Sequence, residues 1–199
     1  MTTSPTAIPA LARANELALV AAFAGLIVAL GTISIPVPGS SVPVTGQTLG
    51  VLLAANVLGG RRGFMAVGLV LLLGALGMPV FAGGHGGASV LVSATGGYLW
   101  GMLLMAAVVG ALVERLPEGR VALPARLVIN LTLGIFLVYL IGVPWLSVVI
   151  ERPVWETIGT GLTPFIPGDI FKAVSATLIA HTVVQPLSRA GFLLQRRAS

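Results

Sequence analysis

Cysteine is absent from the 199-residue chain, and charge is scarce: only 9% of residues are Asp, Glu, Lys or Arg. The first absence removes disulfides, thiolate nucleophiles and thiolate metal sites. The second removes the soluble globular class, whose surfaces are coated by about 25% charged residues. Histidine is nearly missing too, and His85 and His181 fall in widely separated segments, which argues against a metal cluster. No G-x-x-x-x-G-K-[ST] run occurs, so the chain lacks that phosphate-cradling site. Apolar residues fill the sequence instead: 56% are hydrophobic and the mean hydropathy is +1.03. Lipid is the solvent that such a composition requires.

Where the few charges stand predicts the architecture. Residues 17–60, 63–113 and 127–150 contain none, and 157–188 contain only Asp169 and Lys172. A membrane-crossing helix needs about 20 largely apolar residues. The runs therefore predict an all-α membrane protein with six transmembrane helices, near 16–34, 46–59, 64–80, 97–114, 127–149 and 165–187, in one integral membrane domain over 1–199. The second span is short and starts in Val42-Pro43-Val44-Thr45-Gly46-Gln47, where Pro and Gly interrupt helix. The apolar stretch of the first span exceeds that of a secretory signal, so it is read as retained.

Basic residues orient the bundle. With both termini cytoplasmic, Arg13, Arg61, Arg62, Arg115, Arg120, Arg126, Arg189, Arg196 and Arg197 all fall on the inner side. Arg152 lies in the last outer loop and Lys172 inside the sixth span. The net charge of +5 is thus dispersed over membrane edges without aromatic interleaving, which excludes nucleic acid as a partner and suits anionic lipid of the bilayer. On the first helix Ala14, Ala18, Ala21, Ala22, Gly25, Ala29 and Thr32 share about 100° of arc. Small residues so spaced let another helix approach closely, either within the bundle or on a second protein. Gly97 and Gly101 repeat the motif over one turn and are assigned to internal packing.

Chemistry must come from polar groups at membrane depth. Asp169 and Lys172 stand three residues apart, so a helix sets them on one face, and ionisable residues in a span mark a functional site. An Asp near a helix N-terminus could serve as a cap alone, but capping leaves Lys172 unexplained. The outer ends of the helices add uncharged Gly-rich segments with Ser40, Ser41, Thr45, Gln47, His85, Ser89, Ser93 and Thr95. Tyr98, Trp145, Trp155, Phe165 and Phe171 fall near the same level, Trp155 reading best as an interface anchor. Together these predict an outward-facing cavity for a small molecule with an apolar body and a polar, anionic end.

The segments Val42-Pro43-Val44-Thr45-Gly46-Gln47-Thr48-Leu49-Gly50, Gly77-Met78-Pro79-Val80-Phe81-Ala82-Gly83-Gly84, Gly86-Gly87, Thr95-Gly96-Gly97-Tyr98-Leu99, and Pro164-Phe165-Ile166-Pro167-Gly168-Asp169 with Lys172-Ala173 resemble the BioY family. Its members are biotin-specific substrate-binding (S) components of energy-coupling-factor (ECF) transporters. The ordered resemblance runs from about residue 15 to about 190. It implies an S-component-like six-helix bundle that captures biotin from outside. It further implies that Asp169 and Lys172 meet the ligand, that Gln47 joins them, and that Gly84, His85, Tyr98 and Trp145 line the pocket. Ala14, Ala18 and Ala22 would dock on the ECF transmembrane coupling subunit. ATP would be hydrolysed by partner ATPase subunits, and no cofactor is implied for this chain. The location implied is the cell membrane of a prokaryote.

Two other classes fare worse. A membrane hydrolase would need paired groups such as Ser175 and His181, but six helical residues place them about 240° apart and about 9 Å along the axis. A self-contained secondary transporter would show repeated halves with paired broken helices, and the interrupted second span has no counterpart in the second half. Asn130-Leu131-Thr132 matches a glycosylation pattern but lies inside the fifth span, beyond a transferase's reach.

Overall fold

The computed structural model describes residues 7–116 and 122–189. Its helices are α1 (Ala7–Gly31), α2 (Gln47–Leu58), α3 (Gly60–Ala75), α4 (Ala88–Leu91), α5 (Gly96–Glu114), α6 (Ala122–Ile129), α7 (Ile135–Val149), α8 (Val154–Gly161) and α9 (Ile166–Arg189). A π-helical turn, Asn130–Gly134, joins α6 to α7 as one rod. Two strands, β1 (Ser34–Ile35) and β2 (Val44–Thr45), pair antiparallel in the segment between α1 and α2. Among the described residues three helices are long and apolar enough to cross a membrane: Arg13–Gly31, Gly96–Glu114 and Ala122–Val149.

α2 is the hub. It touches α1, α3, α5 and α9, and every residue from Gly50 to Leu58 is buried. A helix that is apolar all round has to be enclosed in this way. Enclosure demands close approach. A Cβ at Gly50 would lie 2.9 Å from the Ile27 Cα of α1, and one at Gly46 would lie 2.6 Å from the Leu30 carbonyl oxygen. The joint to α3 is the single residue Gly59, at φ +86°, a left-handed conformation that favours glycine. α3 then stops earlier than hydropathy alone predicts. Gly77 at φ +98° breaks it, and Phe81 folds back onto Gly74, where a Cβ would meet the ring at 2.0 Å.

Gly97 and Gly101 form the α5–α7 seam, as their spacing predicts. A Cβ on Gly97 would be 2.3 Å from the Trp145 Cβ, and one on Gly101 would be 2.7 Å from the Val138 carbonyl oxygen. The stripe on α1 behaves differently. Ala14, Ala18, Ala21, Ala22, Gly25 and Ala29 are exposed, while Val20, Ala24 and Ile27 on the opposite side are buried in the bundle. Internal packing therefore does not account for the small residues. At the same end of α1, Glu16 accepts from Arg62 at 3.1 Å and lies 3.5 Å from Arg61, tying α1 to the start of α3.

One polar cluster lies wholly inside. Asn56 of α2 donates to the Leu52 carbonyl (2.8 Å) and to Asn130 Oδ1 (3.0 Å). Asn130, on the π turn, donates to Asn56 Oδ1 (3.3 Å) and Thr177 Oγ1 (2.8 Å), and Thr177 donates to the Ala173 carbonyl (2.7 Å). All three side chains are at most 1% exposed. Buried polar groups are costly unless paired, so the cluster fixes one register among α2, the π turn and α9. Asn130→Leu removes the donor to Asn56 Oδ1, and unfolding by denaturant in detergent is expected to show a loss of about 1–2 kcal/mol. Replacing Asn56 and Asn130 together by Leu is expected to recover part of that loss. A single variant as stable as the parent would show that the cluster contributes nothing.

Candidate functional site

Two connected chambers open between the β1–β2 segment and the starts of α2, α5 and α9. The outer one, about 440 Å3, is lined by Ser34, Ser41, Val42, Thr45, Gln47, Phe81, Gly83, His85, Ser93, Thr95 and Tyr98, among others. The inner one, about 40 Å3, is lined by Thr48, Val138, Tyr139, Phe165, Asp169 and Lys172. Val42, Pro43, Thr45, Tyr98 and Met102 belong to both walls. A small recess that holds an acid and a base thus adjoins a larger vestibule whose lining carries no Asp, Glu, Lys or Arg.

Four helices, α2, α5, α7 and α9, contribute to the recess. Asp169 sits in the first turn of α9, where backbone amides favour negative charge. Its Oδ1 accepts from Lys172 Nζ at 2.9 Å, one turn on, and its Oδ2 accepts from the Tyr139 hydroxyl of α7. The Asp169 and Lys172 side chains are 9% and 12% exposed. Tyr98 of α5 stacks edge-on against Tyr139, with ring centroids 5.9 Å apart and planes at 86°. The Tyr98 hydroxyl donates to the Gly161 carbonyl at the end of α8 (2.8 Å), which leaves its ring as wall. Gln47, the first residue of α2, is 3% exposed and packs against Gly31, whose added Cβ would lie 3.6 Å from the Gln47 amide carbon.

The structure places most of the residues singled out by sequence on the walls of the two chambers, and two of them elsewhere. Asp169 and Lys172 meet in the recess, while Gln47, His85 and Tyr98 line the vestibule. Gly84 is not a lining residue: it takes φ +76° within the Ala82–Gly84 turn, and its neighbour Gly83 faces the vestibule. Trp145 lines neither chamber. Its Cβ packs against Gly97 of α5, its indole N–H donates to the Ser93 carbonyl (3.0 Å), and it borders a surface groove with Leu140, Pro144 and Val148. Phe171, 71% exposed, also points away, whereas Phe165 is buried in the recess wall. Sequence reasoning missed Tyr139. Its signal was a hydroxyl midway along the mostly apolar Ile135–Val149 stretch, which needs a buried acceptor. Ala14, Ala18 and Ala22 lie outside both chambers, on the exposed face of α1.

Such a recess can pair its carboxylate with N–H donors and its ammonium with an acceptor, while apolar walls take the rest of a ligand. Among known proteins, a family model described as the BioY family matches residues 2–189. A biotin transporter BioY of Rhodobacter capsulatus is 43% identical over 180 residues, covering 86% of this chain and 94% of that one. Another, of Rhizobium etli, is 41% identical over 175 residues, covering 85% and 93%. A crystal structure of the S-component for biotin from an ECF-type ABC transporter superimposes with a TM-score of 0.81 at 28% identity, covering 92% of this chain and 95% of that one. With that extent of matching, the chain is a membrane protein of known kinship: it belongs to the BioY family.

Proposed function

We propose that this chain captures biotin from the outer face of a prokaryotic cell membrane and passes it inward as the substrate-specific subunit of an ATP-driven uptake transporter. The observation that carries this reading is the Asp169–Lys172–Tyr139 constellation, buried beneath an uncharged vestibule in a chain of this family. Biotin has a ureido ring with two N–H donors and a carbonyl, a thioether bicycle, and a chain ending in carboxylate. Asp169 suits the N–H donors, Lys172 the carbonyl, and Tyr98 with Phe165 the bicycle. Gln47 and His85 complete the polar lining.

The same reading gives one domain of six membrane-crossing rods: α1, α2, α3, α5, the α6–α7 rod and α9, with both termini cytoplasmic. Arg13, Arg61, Arg62, Arg115 and Arg126 then share the inner side, which supports that orientation. The exposed stripe of Ala14, Ala18 and Ala22 is offered to the ECF transmembrane coupling subunit, which carries the ATPase subunits. This chain itself performs no catalysis and needs no cofactor in that scheme.

Equilibrium titration of the purified protein in detergent with biotin, thiamine and riboflavin tests the substrate. Biotin is expected to bind at least about a hundredfold tighter than the others, since a site built for donors and acceptors rejects a ligand that leaves them unpaired. A preference for another vitamin would overturn the assignment. If the chain alone, reconstituted in vesicles, drove biotin against its gradient under a proton or sodium force, the dependence on coupling subunits would fall.

A further inference from the structure

No element around the vestibule brings a charge to it. Residues 17–60 and 63–113, which include β1, β2, α2, the turn at Phe81–His85, α4 and nearly all of α5, hold no Asp, Glu, Lys or Arg. His85 is the one lining side chain there that can become a cation. The charged groups next to it in space are Asp169 and Lys172 of the recess, already bonded to each other, and the phenols of Tyr98 and Tyr139 are held by the Gly161 carbonyl and Asp169.

The backbone presents His85 firmly. Its carbonyl accepts the Phe81 N–H at 2.9 Å, and the Phe81 carbonyl accepts the Gly84 N–H at 2.9 Å, closing a turn that Gly83 and Gly84 permit at φ +69° and +76°. The imidazole lies over Gly83, where an added Cβ would be 3.6 Å from His85 Nε2 and 3.9 Å from Ser34 Oγ. Among the described residues neither ring nitrogen has a protein hydrogen-bond partner. A donor pair, imidazole and hydroxyl, therefore stands unused at one side of the vestibule.

A carboxylate entering the recess would face Asp169, and like charges in a buried site repel strongly. A ureido ring entering it finds an acceptor and a donor. The carboxylate end of the ligand is left in the vestibule, where His85 is the available cation. We propose that His85 receives this anionic end and makes capture tighten as the outer medium acidifies. The inference rests on the biotin reading above. Its sign follows from linkage: an anion binds a protonated ring better than a neutral one, so affinity rises as the medium acidifies.

Titrating the full chain in detergent with biotin and with biotin methyl ester, whose tail carries no charge, isolates the effect. Between about pH 8 and about pH 5.5 the biotin-to-ester affinity ratio is expected to rise roughly three- to tenfold, the range for a charge-assisted pair in a partly exposed place. His85→Gln is expected to flatten the ratio. His85→Lys, charged throughout, is expected to flatten it at a higher value than the Gln variant. A ratio in the unaltered protein that does not change with pH overturns the inference while leaving biotin capture intact. An equal slope for acid and ester does the same, because it places the titration elsewhere. Failure of biotin to bind at either pH removes the substrate assignment, and the inference with it.

Discussion

Asp169→Asn is expected to weaken biotin binding by about a hundredfold in equilibrium titration. The substitution removes the charge from an acceptor whose side chain is 9% exposed and leaves the Lys172 ammonium without its counter-charge. Hydrogen bonds to charged groups contribute about 1.5–3 kcal/mol, one to two factors of ten in affinity, and a lone buried cation adds to the loss. Lys172→Met is expected to act in the same direction, leaving Asp169 with only the Tyr139 hydroxyl. Because the two groups are bonded, the double variant Asp169→Asn, Lys172→Met should cost less than the sum of the singles. It also guards against misfolding, since neither charge is then buried alone. Affinities within about threefold of the parent in both single variants would take the pair out of the site, because an intact charge-assisted contact is worth more than that.

The largest stability effect is expected at the α5–α7 seam. Gly101→Ala puts a Cβ 2.7 Å from the Val138 carbonyl oxygen and 2.8 Å from the Val138 Cα, so backbone must move. Overpacking of this kind costs about 1–3 kcal/mol. Gly68→Ala is the matched control: it lies within α3 with nothing within 4 Å of the added Cβ, and replacing a helical glycine by alanine is expected to stabilise by about 0.5–1 kcal/mol. Chemical unfolding in detergent should therefore move in opposite directions for the same chemical change. The recess shares Val138 with this seam, so Gly101→Ala should also weaken ligand binding. Equal stability of the two variants would mean that the seam has slack to absorb a methyl group.

The helices were legible where lipid contact and hydrogen bonding end together, and displaced where they do not. The expected 46–59 and 97–114 correspond to α2 (Gln47–Leu58) and α5 (Gly96–Glu114) within a residue or two. α1 begins at Ala7 rather than near 16, because helical bonding continues towards the N-terminus past the point where hydropathy falls, through Glu16 and Arg13. α3 ends at Ala75 rather than near 80, because Gly77 and Phe81 reverse the chain inside a run that is still apolar. The π turn at Asn130 left no periodic trace, since it re-aims one side chain without changing hydropathy. In the site, Asp169 and Lys172 stood out because charge is rare in an apolar run. Tyr139 did not, because a tyrosine carries as much ring as hydroxyl and its partner lies 30 residues away on another helix. Trp145 lies on neither chamber wall, because the level of a residue along its helix says nothing of the direction in which its ring points.

The shortness of α2 sets a depth. Its 12 residues rise about 18 Å, against a hydrocarbon layer of about 30 Å. With Arg61 and Arg62 just beyond its far end, at the inner water boundary of the proposed topology, Gln47 is sunk by the difference, about 12 Å below the outer rim of the oil. On the proposed reading, a molecule beside Gln47 would already have descended about two fifths of the barrier by diffusion alone. The work left for an engine is to open the remaining floor, not to haul cargo across the full thickness.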